Sequence, residues 1–169
     1  MKNLAFIDGQ NLYLGTKDGN WKIDYFRFRR YLREKNHVEE AYYFFGYFLD
    51  KHKGMYNSLE KAGFNIIFKE HYIESLSKKK GNVDTDVVFE IMRNLIERSH
   101  DSKFVLVSGD GDYKKTIDYL IQKDRFKKIM FPNKKFASSL YKKLGNKYFV
   151  FLDRDDTRKL IEHRNEKGA

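Results

Sequence analysis

The chain has 169 residues, 41% of them apolar and 17% aromatic, which is enough for one well-filled core and too little for two. Its 34 basic and 24 acidic side chains leave a formal net charge of +10, which favours a polyanionic partner over an anionic small molecule. With no cysteine, disulfides, thiolate metal sites and cysteine nucleophiles are excluded, so any metal must be held by oxygen or imidazole. No apolar run approaches the roughly 20 residues of a membrane span, and the run after Met1-Lys2-Asn3 is cut short by Asp8, too early for a signal segment. The expectation is a cytoplasmic protein with no membrane partner. It forms a single domain over 1–169, with a core over about 1–152 and a C-terminal helix or tail over 153–169.

In chain order, the apolar run Leu4 to Ile7 reads as a buried strand closed by Asp8. Asp24 has the chemistry of an N-cap for a helix over Tyr25 to Arg33. Ala41 to Phe48 reads as a second strand. Its aromatic run, Tyr42 to Phe45 followed by Tyr47 and Phe48, is assigned to the core rather than to base stacking, because a central parallel strand is buried on both faces. Gly54 to Lys61 fills a helical crossover and Asn65 to Phe68 is a third strand. His71 to Val83 shows no sustained periodicity and carries Lys78, Lys79 and Lys80, so it reads as a basic loop. Val87, Val88, Ile91, Met92 and Leu95 then form a helical stripe. A strand at Phe104 to Val107, a helix at Tyr113 to Gln122, a strand at Lys128 to Phe131, a helix at Phe136 to Leu144 and a strand at Tyr148 to Leu152 follow. Glu166 to Ala169 read as a frayed end. Strands separated by helix-length spacers predict an α/β fold with a parallel, doubly wound sheet.

In such a sheet the ligand site lies beyond the carboxyl ends of the strands. Asp8 ends the first strand, Asp110 and Asp112 follow the fourth, and Asp84 and Asp86 open the helix between. Taken singly, Asp84, Asp86 and Asp112 fit helix caps; Asp8 fits less well, since it follows an apolar strand and precedes Gly9. Together the acids would repel one another unless a cation neutralised them. Asp84 and Asp86 differ by roughly 200° around a helix. Asp84 leads the buried stripe, whereas Asp86 leads Glu90 and Arg93 toward solvent. The expected ligands are Asp8, Asp84 and Asp110, with Asp112 as an outer or second-ion ligand, and an all-oxygen set suits Mg²⁺ or Mn²⁺. Asn11, about one turn beyond Asp8, would orient a water or a phosphate oxygen. Ser108, Gly109 and Gly111 sit where exposed N–H groups would meet a phosphate. Lys78, Lys79 and Lys80, on the same rim, would contact a nucleic-acid backbone. Tyr13 and Trp21 are the better stacking candidates, and the histidines lack paired zinc spacing, His71 alone being placed to meet a phosphate. Lys114 and Lys115 suit either a phosphate or an ordinary helix surface.

Three segments, Ile7-Asp8-Gly9-Gln10-Asn11, Lys80-Gly81-Asn82-Val83-Asp84 and Val107-Ser108-Gly109-Asp110-Gly111-Asp112-Tyr113, resemble in order and spacing the signatures of NYN domains in the PIN-like nuclease superfamily. The resemblance spans roughly Met1 to Leu152. It implies a Rossmann-like three-layer α/β/α fold with a mostly parallel sheet. It also implies Mg²⁺- or Mn²⁺-dependent phosphodiester hydrolysis, usually of RNA, so RNA is favoured over DNA as partner. The family's metal-site acids fall on Asp8, Asp84 and Asp110 with Asp112 beside them, and its supporting polar positions on Asn11 and Ser108. Tyr113 stands where Phe is commoner, a departure expected to leave the metal site untouched. The reading is a metal-dependent endoribonuclease, compatible with a homodimer. Its rivals are a non-catalytic nucleic-acid-binding or regulatory NYN module and another Mg²⁺ phosphotransfer enzyme. A Toprim-like site wants Glu where Asp8 stands, and a haloacid-dehalogenase-type site wants Asp where Gln10 stands.

Overall fold

The structure, a computed structural model, describes residues 2–69 and 82–164. Its centre is a sheet of β1 (Asn3–Asp8), β2 (Val38–Phe45), β3 (Asn65–Phe68), β4 (Phe104–Val107), β5 (Phe126–Phe131) and β6 (Phe149–Phe151). The order is β3-β2-β1-β4-β5-β6 and every pairing is parallel. Helices α1 (Gly9–Asp18), α2 (Tyr25–Asn36), α3 (Lys53–Ala62), α4 (Asp84–Glu97), α5 (Lys114–Gln122) and α6 (Asp155–Ile161) complete a three-layer α/β/α fold. Among the described residues no helix is long and apolar enough to cross a membrane.

The period-2 alternation of the strands sorts the core into two halves. Leu4, Phe6 and Leu106 face Val87 and Ile91 of α4 and Ile117 and Leu120 of α5. Ala5, Ile7, Val105 and Val107 face Leu12 of α1, Phe28 and Leu32 of α2, Leu59 of α3 and Ile161 of α6. Both faces being covered, β1 and β4 are buried along their whole length, which is why they read as unbroken apolar runs. The chain works outward from β1 to β3, then returns to β4 beside β1. That reversal opens a crevice at the carboxyl ends of β1 and β4. Ile7 pairs with Val107, so Asp8 and Ser108 leave the sheet side by side.

Helix α1 was not expected, and two expected elements depart from their predicted form. The second strand runs from Val38 to Phe45 rather than from Ala41 to Phe48. Val38 is fully buried in the α2–α3 half of the core, which extends the strand at its start, and the Lys69 N–H bonds the carbonyls of Phe45 and Gly46, which closes its end. The helix expected over Phe136 to Leu144 is instead an irregular loop with one 3₁₀ turn at Ser139–Tyr141. Its polar groups bond outward rather than along a helix. The Ser138 N–H reaches the Gly109 carbonyl, the Tyr141 hydroxyl reaches the Asp110 carbonyl, and Asn133 bonds both the Phe136 N–H and the Gly15 carbonyl. The expected basic loop falls largely on residues 70–81, so His71, Lys78, Lys79 and Lys80 lie outside the described residues, as do Glu166 to Ala169.

The close approach of this loop to β4 depends on glycine: a Cβ built on Gly109 collides with the backbone carbonyl of Phe136. Gly109→Ala should therefore lower stability by about 1–3 kcal/mol, as overpacking does. Gly54→Ala, in α3 with open space around it, should leave stability unchanged or raise it by up to about 1 kcal/mol. Thermal or urea melts compare the two, and equal behaviour would refute the packing argument.

Candidate metal centre

Each acid is delivered by the end of a secondary-structure element. Asp8 closes β1 and caps α1, its Oδ1 accepting the Asn11 N–H at 3.0 Å. Its Oδ2 accepts from the Ser108 hydroxyl at 3.4 Å and stands 3.2 Å from the Tyr113 hydroxyl. Asp84 is the first residue of α4. Its N–H donates to Asn82 Oδ1 at 2.9 Å, and its Oδ1 accepts from the Tyr113 hydroxyl at 2.8 Å. Asp110 follows β4, and its Oδ1 accepts the Asp112 N–H at 2.9 Å. The Asp110 N–H donates to Ser108 Oγ at 3.1 Å, and its carbonyl accepts from the Tyr141 hydroxyl at 2.5 Å.

Asp84, Asp110 and Asp112 each offer a carboxylate oxygen within 4.8 Å of the others. Asp84 and Asp110 are half-buried and Asp112 is exposed, so the cluster opens to the rim. Asp8 is not one of this group; it is only 5% exposed and stands behind the cluster, joined to Asp84 through Tyr113. Asp112, expected as an outer ligand, converges with Asp84 and Asp110. Asp86, expected to face solvent, is half-buried, with an enclosed Oδ2 that has no hydrogen-bond partner among the described residues. It shares a helix side with Val83 and Glu90, neither of them exposed, at the border of the buried stripe.

Burial corrects the expectations for Ser108 and Trp21, and Asn11 has its Oδ1 engaged by the backbone. Ser108, read as a nucleic-acid contact, is fully buried with its hydroxyl engaged between Asp8 and the Asp110 N–H, which keeps it from a bound strand. Asn11 Oδ1 accepts the Gly109 N–H at 2.8 Å, so this amide braces the turn after β4 and that N–H is not free for phosphate. Trp21 is buried under the Arg158 guanidinium and is no stacking surface, whereas Tyr13 is 59% exposed. Lys114 pairs with Asp118 at 2.5 Å.

The electrostatics follow from these positions. Burial, reinforced by the charges of Asp84 and Asp110, raises the Asp8 carboxyl above the usual range against the lowering effect of the Asn11 N–H. Asp112 is raised by the charge of Asp110 and then of Asp84. Burial first, and then Asp8 and Asp84, push the Tyr113 hydroxyl far above the tyrosine range, so it remains a donor. No ion pair with a cation offsets Asp84, Asp110 or Asp112 among the described residues. An all-oxygen set of mutually repelling carboxylates fits a hard divalent ion such as Mg²⁺ or Mn²⁺.

Two contributions escaped the sequence reading. Tyr113 touches the site directly, where its hydroxyl was expected to be incidental. The loop after β5, read as a helix, brings Ser138 and Tyr141 onto the Asp110 turn and carries exposed Lys134, Lys135, Lys142, Lys143 and Lys147. The legible signal was the recurrence of Lys-Lys pairs, Lys134-Lys135 and Lys142-Lys143, after Pro132.

A family profile described as "NYN domain" matches residues 4–153. The chain is 26% identical over 166 residues to the low amplitude and bright protein LabA of Synechococcus elongatus, covering 93% of this chain and 86% of that one. A crystal structure of a Vibrio parahaemolyticus protein of unknown function superposes with a TM-score of 0.74 at 20% identity, covering 95% of each chain, which shows the shared fold.

The raised Asp8 carboxyl makes a pH prediction for the metal-free protein. A carboxyl raised on folding favours the native state below the ordinary carboxylate range, and that contribution is lost as pH rises through the raised value. Asp8→Asn, which keeps a capping side chain, should therefore melt higher than wild type at neutral pH, with the gap closing as pH falls below the ordinary range. A constant gap across that window would contradict the assignment.

Proposed function

This chain belongs to the NYN domain family, a nuclease-like group, and from that membership we propose that it is a divalent-metal-dependent endoribonuclease. The observation that carries the reading is the convergence of Asp84, Asp110 and Asp112 within 4.8 Å at the sheet's switch point. Asp84, Asp110 and Asp112 would hold Mg²⁺ or Mn²⁺, with the buried Asp8 behind them. When bound, the ion supplies Lewis acidity toward a phosphodiester and makes water more acidic, so no side-chain nucleophile is required. Asn11 and Ser108 hold the Gly109–Asp110 backbone in place and thereby aim Asp110. The exposure of Asp112 lets a continuous strand reach the carboxylates without threading an end.

The substrate reading rests on the +10 charge and on where it is displayed. Lys134, Lys142 and Lys143 are exposed on the loop that packs against the Asp110 turn, and their charges would meet backbone phosphates beside the acids. Lys78, Lys79 and Lys80, outside the described residues, would contribute on the same principle. RNA is favoured over DNA by the family's usual chemistry, and the cytoplasm is the corresponding location.

Incubation with labelled single-stranded and duplex RNA and DNA, in Mg²⁺, Mn²⁺ or chelator, tests the activity. Wild type should cleave RNA only with metal, and Asp110→Asn should lower turnover at least about 100-fold, the scale of losing one electrostatic stabiliser. Chelator-resistant cleavage or a fully active Asp110→Asn would sink the metal reading; nucleic-acid binding without turnover would favour the non-catalytic alternative. In a separate binding series, changing Lys134, Lys142 and Lys143 together to Ala should flatten the log–log salt slope by up to about 2, at about 0.7 per lost single-strand contact. An unchanged slope would remove the loop from the binding surface.

A further inference from the structure

Tyr113 is fully buried, and its hydroxyl lies between two carboxylates with no access to solvent. A phenol has one proton to donate. Asp84 Oδ1, at 2.8 Å, is the closer acceptor, and Asp8 Oδ2, at 3.2 Å, the farther. Asp8 has donors of its own in the Asn11 N–H and the Ser108 hydroxyl, so it does not depend on the tyrosine proton. The contacts form one chain: the Asp110 N–H meets Ser108, Ser108 meets Asp8, Asp8 stands against Tyr113, and Tyr113 donates to Asp84.

Resting on the metal reading above, we propose that Tyr113 is the positioning residue of this centre. Its hydroxyl engages one oxygen of Asp84, leaving the other for the ion. Phenylalanine would fill the same volume without supplying that hydrogen bond. A group that orients a ligand in this way sets metal affinity, and its removal weakens binding by about 10- to 100-fold.

The test is Mn²⁺ affinity, measured by calorimetry and by the electron paramagnetic resonance of free Mn²⁺, on wild type and Tyr113→Phe. Circular dichroism and thermal melts of the metal-free proteins establish that each is folded. Tyr113→Phe should bind about 10- to 100-fold more weakly than wild type. Wild-type affinity in a folded Tyr113→Phe overturns the proposal. If wild type itself fails to bind Mn²⁺, the metal reading falls and the proposal with it, an outcome distinct from a tyrosine variant that binds as well as its parent.

Discussion

Like charge held at short range is the constraint around which this molecule is organised. Asp84, Asp110 and Asp112 present carboxylate oxygens within 4.8 Å of one another, and Asp8 adds a fourth acid behind them. Such a group does not assemble by attraction among its members. It stands because each backbone segment is fixed by something else: β1 and β4 by pairing at the centre of the sheet, α4 by burial of Val87 and Ile91, and the Asp110 turn by the Ser108, Asn11 and Tyr141 side chains. The fold supplies the work of bringing the acids together, and a divalent ion held there would relieve that preorganised repulsion.

The hydrogen-bond economy of the crevice serves the same end. Polar side chains that would ordinarily face solvent, such as Ser108 and Asn11, are turned inward to satisfy the backbone of the β4 turn. Tyr113 serves both layers at once: its ring fills the α4–α5 half of the core, and its hydroxyl reaches the carboxylates. The irregular loop after β5 is held in the same fashion, by single bonds to Gly109, Asp110 and Gly15 rather than by a helix of its own. The consequence is a lysine-bearing loop that rests, through Ser138 and Tyr141, on the turn carrying Asp110.

Much was legible before any coordinates. The parallel sheet followed from short apolar runs separated by helix-length spacers, because strands covered on both faces cannot alternate with polar residues. That Asp8, Asp84, Asp110 and Asp112 would share one rim followed from their places at strand ends and at a helix start, since the carboxyl ends of parallel strands point the same way. Less was legible where neighbours across the fold decide. Phe136 to Leu144 has enough helical character to read as a helix, but Ser138 and Asn133 bond to partners more than twenty residues away. The end of β2 depends on Lys69, on the neighbouring strand.

The sequence by itself determined the layer architecture, the sign of the surface charge and the rim on which the acids gather, because these rest on periodicity and on chain direction, which are local. Only the tertiary structure decided which acids converge. Asp112 joins Asp84 and Asp110 because the turn after β4 folds its N–H back onto Asp110, and Asp8 withdraws because Ser108 and Tyr113 enclose it. It also decided the standing of Tyr113, whose hydroxyl matters solely because Asp8 and Asp84, distant along the chain, meet it from two sides. Contacts between segments far apart in sequence leave no periodic trace, and it is those contacts that set one acid behind the open cluster of the other three.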